Sequence, residues 1–224
     1  MVPAESSGFL GALTGAERAA LAGLGASREF DRGATVFHQR EDSDRVVVVR
    51  AGRVKISTVT GEGREVVLAF RGPGDLLGEQ SAIDGEPRSA TVTALEPVEA
   101  LVVAASDFRG FLQAHPRAAL VLLEMLSRRL RDADRKRVGF AGSDTVGRVA
   151  ARLVELSAAH GEPGADGLEI TLPLSQEELA GWTGASREAV GKALHQMRAL
   201  GWIRTQRRRI VVLDLEALRS RAVL

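Results

Sequence analysis

No cysteine occurs among the 224 residues. Its absence excludes disulfides, thiolate metal sites and cysteine-ligated iron–sulfur clusters. Aromatics make up only 4%; Trp182 and Trp202 have no further aromatics beside them, so both read as core residues rather than base-stacking platforms. Long apolar runs are missing too: Val46–Val49 and Leu120–Leu123 are far too short to span a bilayer. Residues 1–7 carry neither a basic segment nor an apolar stretch that would direct secretion. The expectation is a cytoplasmic protein with no membrane partner. His38, His115, His160 and His195 are scattered, with no metal-ligand spacing and no nucleophile–base–acid set. They read as structural or surface residues, and the chain reads as something other than an enzyme.

What is present is a globular composition, 45% hydrophobic and 26% charged, in a chain long enough for one or two domains. Thr14-Gly15-Ala16-Glu17 is a capping box opening a short helix toward Leu24. Short β runs then follow at Thr35–Phe37, Val46–Arg50, Val54–Thr58, Val66–Phe70, Ala90–Thr93 and Val98–Val103, separated by glycine-rich turns. Such spacing predicts a small barrel or roll. After Pro116 a long helix is expected. Leu123, Leu126, Leu130, Ala133, Arg137 and Phe140 recur at alternating steps of three and four, the seam of a dimeric coiled coil or of a helix packed on its own domain. Phe140–Asp144 reads as a hinge, with Asp144 capping a helix over Thr145–Ala159.

Between Gly78 and Thr91 the residue types match the needs of a ribose and a phosphate. Gly78 allows backbone N–H groups close to an anion. Glu79 can accept from a ribose hydroxyl, Arg88 can fork onto two phosphate oxygens, and Ser89 adds a hydroxyl donor.

Further on, Leu168–Leu172 is strand-like after a loop at Gly161–Gly167. Ser175-Gln176-Glu177-Glu178 is a second capping box, Gly184-Ala185 a tight turn, and Ser186 the cap of a helix reaching Leu200. Ile203–Thr205 and Ile210–Leu213 form a hairpin tipped by Gln206–Arg209. Helix, glycine turn, helix and basic hairpin make a winged helix-turn-helix. Overall net charge is +1, yet Arg187–Arg209 holds seven basic residues against Glu188 alone, a local +6. In such a motif the first turn of the second helix enters the major groove. Arg187 can then fork onto guanine, Glu188 accept from cytosine, and Lys192 reach a guanine or a phosphate, while Arg207 and Arg208 suit phosphates. Ala189, Val190, Leu194, Met197 and Leu200 would form the buried side.

Taken together, the roll with Gly74-Asp75-Leu76-Leu77-Gly78-Glu79 and Arg88-Ser89-Ala90, the segment Val146-Gly147-Arg148-Val149, and Gly184-Ala185-Ser186-Arg187-Glu188-Ala189-Val190-Gly191-Lys192 resemble the cyclic AMP receptor protein/FNR family of bacterial transcription regulators. The resemblance runs from about Phe9 to Asp214. It implies an α+β fold: an N-terminal cyclic-nucleotide-binding β-roll at 1–115, a long central dimerisation helix with its hinge at 116–143, and a C-terminal winged helix-turn-helix at 144–224. It also implies a homodimer, double-stranded palindromic DNA of the TGTGA type as partner, RNA polymerase as a further partner by analogy, and cAMP as allosteric ligand. The implied ligand set is Gly78, Glu79, Arg88, Ser89, Ala90, Ala133 and Asp134. The implied DNA set is Gln176, Ser186, Arg187, Glu188, Lys192, Arg207 and Arg208, with Lys192 where the family has arginine.

One departure stands out. An ungapped count from Arg128-Arg129-Leu130 to Gly147-Arg148 places the family's adenine-binding Thr-Ser pair on Ala133-Asp134. Alanine offers no side-chain hydrogen bond, and an ionised Asp134 only accepts. Adenine's amine could donate to it, and so could guanine's N1–H and amino group; alternatively Asp134 pairs with an arginine across the dimer. The pocket is therefore read as a cAMP site, with a site for cGMP or another ligand, or a ligand-independent pocket, as alternatives. A regulatory subunit of a partner enzyme is the third class.

Overall fold

The computed structural model describes residues 8–222 except 43, 62, 143, 173, 207 and 208, and only the backbone of 136–142. In chain order the elements are α1 (Gly8–Ala12), α2 (Gly15–Gly23), β1 (Gly25–Phe30), β2 (Thr35–Phe37), β3 (Arg45–Ala51), β4 (Val54–Val59), β5 (Glu65–Arg71), β6 (Leu76–Leu77), α3 (Glu79–Asp84), β7 (Thr91–Ala94), β8 (Val98–Ala104), α4 (Ala105–Ala114), α5 (Pro116–Gly142) and α6 (Thr145–His160). They are followed by β9 (Gly161–Pro163), β10 (Leu168–Ile170), α7 (Gln176–Thr183), α8 (Arg187–Ala199), β11 (Ile203–Gln206), β12 (Arg209–Val212) and α9 (Leu215–Ala222). Contacts divide them into two compact units, residues 1–59 with 68–131 and residues 60–67 with 132–224.

The first unit is the roll, built from sheets ordered β1-β8-β3-β6 and β2-β7-β4-β5. Side chains alternate across a strand, and β3 shows the consequence. Val47 and Val49 join Phe37, Val54, Leu77, Val92 and Ala100 in the roll's interior. Val46 and Val48 point the other way, into a core shared with Phe9, Leu21, Leu76, Phe108, Phe111 and Leu122 from the surrounding helices. A strand buried on both faces reads as an unbroken apolar run, which is why four valines stand in a row. Thr14 and Glu17 form the expected capping box on α2.

On α5 the residues of the expected seam differ in exposure, and Leu126 is half-buried. It packs against the unit's own helical core, whereas Leu120, Leu123 and Leu130 are 61%, 59% and 64% exposed. The apolar stripe left on the surface therefore starts at Leu120, with Leu126 only half-exposed within it. Ala133 is also exposed; the side chains of Arg137 and Phe140 lie outside the described residues. Helix α5 continues through Gly142, over part of the segment expected as a hinge from Phe140 to Asp144.

The second unit begins where Asp144 caps α6, its carboxylate accepting from the Gly147 N–H at 2.8 Å. A sheet ordered β11-β12-β10-β9 packs with α6 to α9. Its core gathers Val149, Leu153, Leu156, Leu179, Trp182, Val190, Leu194, Met197, Ile203, Val211 and Leu218, all buried. Trp182 is thus a core aromatic, while Trp202 is only half-buried. Part of the loop expected at Gly161–Gly167 is strand β9, paired with β10. Helix α9 packs along α6, and Arg221 bonds both carboxylate oxygens of Asp144 at 2.6 and 2.5 Å.

Candidate functional site

The cassette starts with a backbone constraint. Gly78 has φ 76°, and a Cβ there would stand 2.3 Å from Nη1 of Arg88. An L side chain there would be strained by that conformation and would have to displace the Arg88 guanidinium. The turn delivers Glu79 as the first residue of α3, 4% exposed. Arg129 of α5 meets it: Nη1 donates to Glu79 Oε1 at 2.6 Å and Nη2 donates to the Leu76 carbonyl at 3.0 Å. Sequence reasoning overlooked Arg129, because nothing local links positions 50 residues apart.

Arg88 is 3% exposed. Its Nη1 donates to the Gly78 carbonyl at 2.9 Å, its Nη2 donates to the Arg45 carbonyl at 2.5 Å, and its guanidinium lies 3.8 Å from the Phe37 ring centroid. Burial, and then the nearby Arg45 charge, hold its pKa below the usual arginine value. The Nε–H is buried with no acceptor among the described residues. An unsatisfied buried donor costs free energy, about 1–3 kcal/mol and more on a charged group, and a buried cation favours an anion nearby. Ser89 beside it is exposed, its Oγ 3.4 Å from Gln80 Oε1, while Ala90 is buried. Glu79, Gly78 and Arg88 are thus brought together. Ala133 and Asp134 are exposed residues of α5, in the second unit.

In the second unit a helix-turn-helix is assembled by local chemistry. Ser175 and Glu178 complete the capping box of α7, and Gly184 ends that helix in the left-handed region, φ 60°. Arg148 of α6 braces the turn, its Nε donating to the Thr183 carbonyl at 2.9 Å. Ser186 caps α8 by accepting from the Ala189 N–H. Val190, Ala193, Leu194 and Met197 form the buried stripe of α8; Leu200 falls at the C-cap and is 52% exposed, contrary to expectation.

The opposite face of α8 borders an open concavity of about 680 Å³ lined by Gln176, Arg187, Glu188, Gly191, Lys192 and His195. Ser186 is exposed at its head. Glu188 and Lys192 pair at 2.7 Å, each 77% exposed; the pair lowers the Glu188 pKa and raises that of Lys192. Elsewhere in the basic run, Arg204 is tied to Asp166 at 2.6 Å and Arg209 to Glu169. Arg207 and Arg208 lie outside the described residues. His195, expected from the sequence to be a structural or surface residue, is exposed and borders the same concavity. The spacing Glu188, Lys192, His195 puts three side chains on one helical stripe.

A roll bearing a glycine–carboxylate–arginine cassette, joined in one chain to a winged helix-turn-helix, defines a ligand-sensing DNA-binding regulator. Comparison with known proteins agrees. Residues 27–115 match the cyclic nucleotide-binding domain and residues 147–221 the Crp-like helix-turn-helix domain. The chain is 36% identical over 215 residues to the CRP-like cAMP-activated global transcriptional regulator of Mycobacterium tuberculosis, covering 95% of this chain and 96% of that one. It is 32% identical to the cyclic AMP receptor protein of Thermus thermophilus, over 79% of each chain. The solved structure of the c-di-GMP responsive global regulator CLP of Xanthomonas campestris superposes with TM-score 0.79 at 24% identity, covering 89% of this chain and 99% of that one, and shows the same fold. The chain belongs to the cyclic AMP receptor protein/FNR family of transcription regulators. Among the described residues no helix is long and apolar enough to cross a membrane.

Proposed function

We propose that this regulator is a cytoplasmic homodimer that binds cAMP in the roll and, in response, reads a TGTGA-like palindrome. The observation that carries the ligand reading is Arg88, a buried guanidinium whose Nε–H lacks an acceptor among the described residues beside the left-handed Gly78. A cyclic phosphate supplies the missing anion, Ser89 a further donor to it, and Glu79 an acceptor for the ribose hydroxyl. Ala90 closes the cassette. The choice of base is assigned to Ala133 and Asp134. The exposed Leu120, Leu123 and Leu130 stripe supports pairing with a second copy through α5. Ser186, Arg187, Glu188 and Lys192, with Gln176 and the wing residues Arg207 and Arg208, are assigned to DNA; RNA polymerase is a partner by analogy. A ligand shifts the DNA-binding equilibrium only by as much as its affinities for the two states differ.

The test is a gel shift on a TGTGA…TCACA duplex with and without cAMP, together with calorimetry against cAMP, cGMP and cyclic dinucleotides. Saturating cAMP is expected to lower the midpoint. Arg88→Ala is expected to abolish that response, and so is Ser89→Ala in part; because Ser89 is exposed, its variant keeps the fold intact. An unchanged midpoint with cAMP, alongside heat on adding cGMP, would transfer the site to guanine, whose N1–H and amino group can also donate to a carboxylate. A free protein sedimenting at the mass of one chain would remove the dimer.

A further inference from the structure

We infer that Arg40 is a further ligand-binding residue, a second guanidinium at the mouth of the cassette for the outward oxygen of the cyclic phosphate; this rests on the ligand reading of Gly78–Thr91. The backbone singles it out. Arg40 has φ 69°, and among the described residues no other non-glycine residue has a positive φ. Its N–H donates to the Arg88 carbonyl at 2.8 Å, and the Arg88 N–H donates to the Glu41 carbonyl at 2.8 Å. Two residues of the loop between β2 and β3 thus oppose one residue of the cassette. That is a β-bulge of the kind whose first member is left-handed and by preference glycine. An arginine there is strained, and a glycine would keep both hydrogen bonds without the strain. Strain retained beside a binding site points to a use for the side chain, and bulges re-aim side chains at such sites.

Charge supplies the use. Two carboxylates of the same loop are engaged elsewhere: Glu41 accepts from the His38 N–H at 2.8 Å and from Arg45 at 3.3 Å, and Asp44 accepts from Arg45 at 2.8 Å. Asp42 stands exposed. Arg40 is exposed too, and its guanidinium makes no hydrogen bond or ion pair among the described residues. Its partner in the bulge, Arg88, precedes the exposed Ser89. An unspent cation and the hydroxyl assigned to the phosphate therefore stand at neighbouring backbone positions. The inner side of the site is short of donors. Both Nη groups of Arg88 already donate to carbonyls, which leaves its Nε–H as the donor without an acceptor. A cyclic phosphate spreads its charge over two oxygens outside the ring, and one buried N–H meets only one of them. The Arg40 fork, with Ser89, serves the other through a charge-assisted contact. Such a contact is blind to the base.

The measurement is calorimetry of the intact protein against cAMP and cGMP at low and high salt, paired with the thermal midpoint of the ligand-free protein. Arg40→Gly is expected to weaken each nucleotide that binds by about tenfold, the worth of one charge-assisted contact. The same variant should leave the midpoint no lower than wild type, because it releases the strain; a merely structural arginine would show the reverse pattern. Arg40→Asn tolerates the left-handed region without carrying charge and should weaken binding equally, while Arg40→Lys, which keeps the charge but not the fork, should lose less. High salt should bring wild type toward the Arg40→Gly affinity, since an exposed charge is screened. Unchanged affinities in both Arg40→Gly and Arg40→Asn overturn the inference and leave the ligand reading standing. So does a loss confined to one of two nucleotides that wild type binds, because the phosphate is common to both. Heat from neither nucleotide with the wild-type protein removes the ligand reading and the inference together.

Discussion

Arg88 and Lys192 are both cations assigned to an anionic ligand, yet the first is 3% exposed and the second has a side chain 77% exposed. The difference suits what each site is proposed to meet. The cassette must enclose a small ligand, so its charges are buried and tied to fixed partners: Arg88 to two carbonyls and an aromatic face, Glu79 to Arg129. The reader must slide onto a large polyanion, so its charges stand in water and hold one another only loosely, as Glu188 and Lys192 do. An exposed pair of that kind contributes about 0–1 kcal/mol, whereas removing one partner of a buried pair costs about 3–5 kcal/mol. Substitutions in the cassette should therefore be felt first as stability, and those in the reader as affinity.

Arg129→Ala presses that contrast hardest. It strands Glu79, whose side chain is 5% exposed, and is expected to lower the first unit's stability in urea by about 3–5 kcal/mol. A loss below about 1 kcal/mol would rank the pair with the exposed ones. Arg187→Ala comes next. On an exposed helix turn it should leave the thermal midpoint in place while weakening the palindrome by about 1–3 kcal/mol, roughly 5- to 150-fold, by fluorescence anisotropy. Equal weakening on a scrambled duplex would reduce Arg187 to a phosphate contact. The smallest effect concerns Asp144. Accepting from the Gly147 N–H, and then the Arg221 contact, hold its carboxyl below the ordinary value of 3.8. A depressed carboxylate pKa contributes stability that is present above the ordinary value and lost as pH falls through the folded one. Asp144→Asn keeps a cap but not the charge. Its thermal midpoint should lie below wild type at pH 7 and converge on it toward pH 3; a gap independent of pH would show that the charge adds nothing.

Much of the fold was legible because its signals are local. Caps at Thr14, Asp144, Ser175 and Ser186 fixed four helix starts, and the α8 stripe from Val190 to Met197 followed from its period. What escaped notice lacked a local signal. Strand β1 was missed because residues 26–29 are all exposed and show no alternation; it is recruited by pairing with β8. Leu126 fits the expected seam by spacing, but periodicity cannot say which of two apolar surfaces a helix prefers, and the unit's own core covers part of it. The cassette's residue types were legible from Gly78 to Ser89. The inward fold of Arg88 and its companion Arg129 were not, since both depend on carbonyls and a carboxylate brought in from other elements of the chain.

The four valines of β3 leave a question of folding that hydrophobicity alone does not answer. Sliding the strand by one position would exchange Val46 and Val48 with Val47 and Val49, apolar for apolar, and expose nothing to betray the error. The mark that distinguishes the correct alignment is polar. Arg88 reaches the carbonyl of Arg45, at the first position of β3, and Arg45 reaches back to the carbonyl of Val36. The residue proposed to hold the phosphate thus also tells the sheet where its central strand begins. Selection for a tighter signal and selection for an unambiguous fold act on the same guanidinium, and neither can change it without the other.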